Sequence, residues 1–126
     1  MSLPTDAKAR KAVPLYSGLL RYFPDALIGV AQCSQVGNEQ HNPGQPLRWD
    51  RSKSSDEGDA LMRHLFDHAT GTPVDADGIH HLAKVCWRAL ALYQKAIEAE
   101  RNKANAETSN RVDQIAVQEN YDELDC

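Results

Sequence analysis

From Ile79 to the C-terminus this chain contains neither glycine nor proline, and that absence limits its fold more than any other feature. A stretch without either breaker, with Ile79, Leu82, Cys86, Leu90, Tyr93 and Ile97 at helical spacing, has no local reason to leave the α conformation. The pattern predicts a long helix from about Gly78 past Arg101, capped by Asp77, with His81, Lys84 and Arg88 as a polar line near its start. Upstream, Phe23-Pro24-Asp25 reads as a helix start, because proline suits a first turn and an aspartate there faces the positive end of the helix dipole. That helix carries Leu27, Ile28, Val30, Ala31, Cys33 and Val36 and frays near Gly37 to His41, after which Asn42-Pro43-Gly44 and Pro46 force a loop. Ser54-x-x-Glu57 reads as a capping box opening a further helix that ends at Gly71, with Leu61, Leu65 and Ala69, flanked by Met62 and Phe66, as its buried stripe. No stretch alternates apolar and polar residues in the manner of a strand. The fold class is all-α, a helical bundle.

At 126 residues the chain makes one domain. Residues 1–13 read as a mobile polar segment, and Pro14 to Phe23 as a short apolar packing element, helical or extended. Residues 14–101 form the helical domain, and residues 102–126 a polar tail with Val112, Ile115, Val117 and Leu124 as sparse anchors. That tail is a solvated helix, an arm on another subunit, or disordered. Leu82, Val85, Ala89, Leu92 and Ala96 give the last helix a second apolar line, and so wide an apolar face predicts a homo-oligomer. Cys33, Cys86 and Cys126 lack paired spacing, and the first two read as buried thiols. With no apolar leader and no membrane-length run, the expected compartment is the cytoplasm. A net charge of −4 argues against nucleic-acid polymers as partners, while a small polyphosphate needs only a local basic cluster or a metal.

The chemistry concentrates in residues 37–59, GNEQHNPGQPLRWDRSKSSDEGD. Glu39 and the pair Asp56/Asp59 sit at helix ends that the intervening loop can bring together, and converging carboxylates suit a hard divalent cation such as Mg²⁺ or Mn²⁺. Asp56, Asp59 and Arg63 share a helix face at i, i+3 and i+7, although acidic residues also collect in first turns for dipole reasons alone. Arg51 and Lys53 would hold phosphate oxygens, or else belong to a solvated loop. Trp49 either covers the core or stacks on a base. Asn42, Lys84 and His64 complete the substrate-binding candidates, and Glu39 and Asp59 are the catalytic ones. The histidines carry no Cys-x-x-Cys or His-Glu-x-x-His frame, so spacing does not mark a zinc site, and His64 and His81 read as supporting partners or phosphate donors.

Four segments in order, YFPDAL, GNEQHNPGQPLRWDRSKS, DALMRHL and DADGIHHLAKVCWRALAL, resemble the phage MazZ group of the MazG-like, all-α nucleotide pyrophosphohydrolases. The resemblance spans about residues 14 to 95. It implies hydrolysis of a purine nucleoside triphosphate, dGTP or GTP, to the monophosphate and pyrophosphate with Mg²⁺ or Mn²⁺. It also implies a dimer or pair of dimers and, in some phages, a supply of dGMP for 2-aminoadenine nucleotides. The superfamily pattern pairs Glu-x-x-Glu with Glu-x-x-Asp. Here Glu39 fits the second position of the first pair, whose partner position is Val36, and Asp56-x-x-Asp59 fits the second pair with Asp in place of Glu. Glu57, Asp75 and Asp77 are the substitutes for the missing ligand. Two rival readings stand beside this one: a phosphohydrolase cutting at another phosphate, and a non-enzymatic helical binding protein.

Overall fold

The structure, a computed structural model, describes the backbone of residues 1–124 and the side chains of residues 1–119; Cys126 and the Leu124 side chain lie outside the described residues. It is all-α: α1 (Ala7–Lys11), a π-helical turn (Tyr16–Leu20), α2 (Pro24–His41), α3 (Glu57–Thr70) and α4 (His81–Leu124). Extended structure among the described residues amounts to an isolated antiparallel bridge between Val74 and His80. The chain divides into two compact units, Ser2–Tyr93 and a second made of Met1 with the chain from Gln94 onward.

Local chemistry explains most helix ends. Asp6 caps α1 by accepting the Ala9 N–H at 2.9 Å, so the N-terminal segment has an element that composition alone did not indicate. Pro24 occupies the first turn of α2, as its fixed φ allows. The helix holds through Gly37 to His41 instead of fraying there, and the Asn42 N–H closes its end on the Asn38 carbonyl at 2.7 Å. α3 starts at Glu57 with Asp56 in the cap position, so the expected capping box does not form. The Ser54 hydroxyl instead donates to Asp56 Oδ1 at 2.8 Å. α4 starts at His81, three residues later than Gly78. Between them the chain turns back on itself: Gly78 N–H bonds the Asp75 carbonyl, Asp75 N–H bonds the Ile79 carbonyl, and Gly78 takes a left-handed φ of 84°. Asp77 accepts the Ile79 N–H and so braces this turn rather than the helix, while His80 Nδ1 accepts the Leu82 N–H at 3.0 Å and serves α4.

The distribution of burial departs furthest from the sequence reading. Among the described residues the buried apolar side chains are Ala60, Ile79 and Ala91, and no large side chain is fully enclosed. On α3 the inward line is Glu57, Ala60, His64 and His68, at i, i+3, i+7 and i+11. The expected stripe lies outward, with Phe66 66% and Met62 60% exposed, Leu65 and Ala69 also exposed and Leu61 half-buried. The periodicity was right and its direction was not, because α3 turns its polar face toward α4. Leu15, Tyr16, Leu20, Tyr22 and Phe23 are exposed as well, as are Leu90, Leu92 and Tyr93 on α4. Of the expected buried thiols, Cys33 is half-buried and Cys86 exposed. In the second unit α4 continues as helix through Leu124, and the side chains of residues 99–119 are exposed. No helix among the described residues is long and apolar enough to cross a membrane.

One buried polar side chain shapes the loop after α2. Asn38, 7% exposed, donates from Nδ2 to the Gln45 carbonyl at 3.0 Å and accepts the Arg48 N–H on Oδ1 at 3.3 Å. Both ends of its amide are thus used to fold residues 45–48 back over the helix that carries it. Asn38→Leu keeps the volume and loses both bonds, so it should destabilise the protein by roughly 1–3 kcal/mol. Amide hydrogen exchange at Arg48 should rise with it, and unaltered exchange there would show that the loop is held by something else.

Candidate functional site

The folded-back loop forms one wall of a cleft of about 850 Å³ within the unit Ser2–Tyr93. The last turns of α2 supply a second wall, the start of α3 with Glu57 a third, and Lys84, Trp87 and Arg88 of α4 a fourth. α4 is pinned to α2 where the Trp87 indole N–H donates to Ser34 Oγ at 2.8 Å. The Trp49 ring meets Trp87 edge-on, with centroids 5.7 Å apart at 75°. This is the geometry favoured by the positive edge and negative face of aromatic rings. Arg51 lies over Trp49 at 4.1 Å from the ring centroid, and Arg88 stands 5.6 Å from that of Trp87 while donating to Ser54 Oγ at 3.2 Å. An aromatic corner bordered by guanidinium groups therefore sits beside charged walls.

Those walls hold both signs. Arg48, Lys53, Lys84 and Arg88 line the cleft together with Asp50, Asp56, Glu57 and Asp77. Glu57 is 4% exposed, an unusual depth for a carboxylate. Lys84 Nζ donates to Asp75 Oδ2 and Asp77 Oδ2, each at 2.6 Å. The Lys84 bond and the Ala76 N–H hold Asp75 below the usual carboxylate range. Burial pushes Asp77 up, but the bonds from Lys84 and Ile79 outweigh it and leave it lowered. Burial likewise works against the Lys84 ammonium, and its two aspartates more than offset this, so its pKa is raised. Beside this triad, His64 Nδ1 and His81 Nδ1 approach to 3.2 Å, and one ligand atom each of His64, Asp75 and His81 lie within 4.8 Å of one another. Burial, then the Lys84 charge, hold His64 in its neutral form to lower pH than a free imidazole.

The sequence candidates divide between this cleft and the outer surface. Asn42, Trp49, Lys53, Asp56, His64 and Lys84 line the cleft. Arg51 is placed over the Trp49 face. Glu39 lies on the exposed side of α2, where it accepts from Gln35 Nε2 at 2.9 Å, and it is not part of the cleft wall. Asp59 borders a separate shallow depression with Met62, Arg63, Phe66 and Asp67. Asp56 accepts from Arg63 at 2.9 Å, realising the i, i+7 pairing on that face. Arg63 and Ser54 hold its carboxyl below the ordinary range. Within one chain, then, Glu39, Asp56 and Asp59 do not share a cavity. Glu57, which the sequence offered only as a substitute ligand, is the buried acid, and Asn38 and Trp87 were missed. The signal for Trp87 was its place one turn beyond Lys84 on the same helix.

A family model described as dATP/dGTP diphosphohydrolase, N-terminal, matches residues 4–105, which include every cleft residue named above. Neither a curated protein nor a solved structure gives a match.

The triad makes a pH-dependent contribution whose sign is fixed by its shifts. Asp75 and Asp77 are lowered, so their contribution is present above roughly pH 4 and lost as pH falls through their folded values. Lys84 is raised, so its contribution is present below roughly pH 10 and lost as pH climbs through its folded value. Lys84→Met should lower unfolding stability at neutral pH by roughly 1–3 kcal/mol, between the values for surface and buried pairs. In denaturant titrations the gap between wild type and variant should close below about pH 4; a gap of constant size would remove the ionic account.

Proposed function

We propose that this chain, which belongs to the dATP/dGTP diphosphohydrolase family and so is a hydrolase acting on phosphoric anhydrides, converts a purine deoxynucleoside triphosphate to the monophosphate and pyrophosphate. dGTP is the first substrate in this reading and GTP a further one, with dATP included by the family's description. The observation that carries it is the cleft itself, which sets an indole pair beside charged walls of both signs in a volume suited to one small ligand. A base has an aromatic surface at Trp49 and Trp87, and phosphate oxygens have donors in Lys53 and Arg88, with Asn42 and His64 nearby. Lys84, already shared by two aspartates, acts chiefly as the fixed positive centre that keeps those carboxylates in place.

A hard divalent cation fits the chemistry of the cleft, since Asp56, Glu57 and Asp77 are oxygen donors on its walls. Bound there, Mg²⁺ or Mn²⁺ would neutralise phosphate charge and acidify a water. Glu57 is the carboxylate best placed to act as ligand or proton acceptor, being buried at the cleft wall where α3 begins. Glu39 and Asp59 remain ligand proposals from the resemblance, now with the requirement that something beyond this single cleft bring them in. In a phage-infected cell the product dGMP would feed 2-aminoadenine nucleotide synthesis, and the compartment would be the host cytoplasm.

The thin interior supports a homo-oligomer, a dimer or tetramer. A unit whose buried apolar side chains are two alanines and one isoleucine, with Met62, Leu65 and Phe66 facing out, leaves its main apolar surface uncovered. Covering that surface with a second copy supplies the burial the single chain lacks. Light scattering should give a multiple of the 14.0 kDa chain mass. Phe66→Asp should shift it toward the monomer, whereas a wild-type monomer at micromolar concentration would exclude this reading.

The chemical claim is tested by product analysis with a panel of nucleotides and Mg²⁺ or Mn²⁺. Pyrophosphate with dGMP supports the proposal, tripolyphosphate indicates cleavage at another phosphate, and no turnover favours a binding protein. Glu57→Gln should lower kcat by at least roughly a hundredfold with helicity intact. Comparing it with Glu39→Gln and Asp59→Asn decides which carboxylates serve the metal.

A further inference from the structure

His64, Asp75 and His81 come from three different elements, α3, the turn before α4, and the first residue of α4 itself. Their ligand atoms lie within 4.8 Å of one another, and the two imidazole Nδ1 atoms are 3.2 Å apart. A divalent ion about 2.0–2.1 Å from each of two imidazole nitrogens at a tetrahedral angle sets those nitrogens about 3.3 Å apart. The observed separation of the two rings matches such a coordination edge and equally a hydrogen bond between them. His81 is 5% exposed and His64 half-buried, so both rings lie partly or wholly inside the unit. The charge balance also suits a cation: the Lys84 ammonium faces two carboxylates, Asp75 and Asp77, and with neutral imidazoles the cluster is left one unit negative.

We propose that His64, Asp75 and His81 form a binding site for a borderline first-row divalent ion of the Zn²⁺ class, which staples α3 and the 71–80 turn to the start of α4. Two imidazoles and one carboxylate select such ions over Mg²⁺, which favours oxygen ligands. Three protein donors leave a position for water. Because the unit buries so little apolar surface, a metal joining three of its elements contributes where packing is thin. Spacing along the chain did not disclose the site, since the ligands stand 11 and 6 positions apart (64 to 75 to 81) and meet only through the fold. The ligand set differs in kind from that of the hard cation proposed for the triphosphate, whose donors are all oxygens, although His64 also borders that cleft.

Full-length protein stripped with chelator is titrated with Zn²⁺ alone, by calorimetry and by thermal denaturation, without nucleotide. One Zn²⁺ per chain and a rise in Tm of several degrees are expected. Long-range ¹H–¹⁵N spectra should show the ion perturbing Nδ1, not Nε2, of both His64 and His81. Co²⁺ in place of Zn²⁺ should give visible d–d absorption. His64→Gln and Asp75→Asn, with helicity checked by circular dichroism, should each weaken binding by at least roughly tenfold, while His41→Gln should not. His64 is half-buried and the safer variant if loss of His81 prevents folding. No saturable binding, or binding that survives both His64→Gln and Asp75→Asn, overturns the site and leaves a hydrogen bond between the two rings. These readouts use no nucleotide, so failure of this site is distinguishable from failure of the proposed hydrolysis.

Discussion

Lys84 is the charge around which the cleft-bearing unit is arranged. One ammonium takes the carboxylates at both ends of a tight turn, Asp75 and Asp77, at equal distances of 2.6 Å. Those bonds fix the turn to the first turn of α4, which begins at His81, and bring Asp75 near His64. Ile79, one of the few buried apolar residues, is held in the same turn by its N–H bond to Asp77. Burial alone would discourage the ammonium and the Asp77 carboxylate; together they satisfy one another and remain charged. Loss of Lys84 would leave two carboxylates without their cation in a partly enclosed place, whereas loss of either aspartate would leave the ammonium paired with the other.

The same unit inverts the usual polarity of a helix. α3 sends Glu57, His64 and His68 inward and keeps Met62, Leu65 and Phe66 outside. A helix with a polar inner face cannot be held by hydrophobic burial within its own chain, so ionic and hydrogen-bonded contacts hold the inner side and the outer side remains for association. On the proposed reading, function and assembly would lie on opposite faces of one element. The inner face carries groups for ligands, and the outer face carries the surface that a second copy would cover.

Much of the architecture was legible because it is local. The absence of Gly and Pro after Gly78 announced α4, Pro24-Asp25 announced α2, and Gly71 announced the end of α3. The polar line His81, Lys84, Arg88 was read correctly as a face, and its neighbours Asn42, Trp49, Lys53 and His64 do gather with Lys84 at one cleft. What was not legible is directional or long-range. Ser54-x-x-Glu57 has the letters of a capping box, yet Ser54 spends its hydroxyl on Asp56 and Glu57 is carried into the interior. The α3 stripe has the right period but faces outward, and periodicity fixes a helix's face without saying which way that face points. Asn38 was overlooked beside the more conspicuous Glu39, although its amide shapes the loop. His64 and His81, 17 residues apart, meet only after the turn folds back.

The burial of Glu57 in the first turn of α3 has a consequence for how the cleft handles anions. A helix N-terminus opening onto a cavity ordinarily offers its unpaired N–H groups and its positive dipole end to a phosphate. Here that field already acts on the chain's own acids, Glu57 and Asp59, in the opening turn. In the proposed reading, attraction for a polyanion would therefore fall to the side-chain cations of the walls, the exposed Arg48 and Lys53 and the half-buried Arg88. Exposed charges are screened within about 8 Å at physiological ionic strength, whereas a backbone dipole in contact with its ligand is not. The part of any anion capture carried by Arg48 and Lys53 would therefore fade as salt is added, more than the half-buried Lys84 triad that frames the cleft.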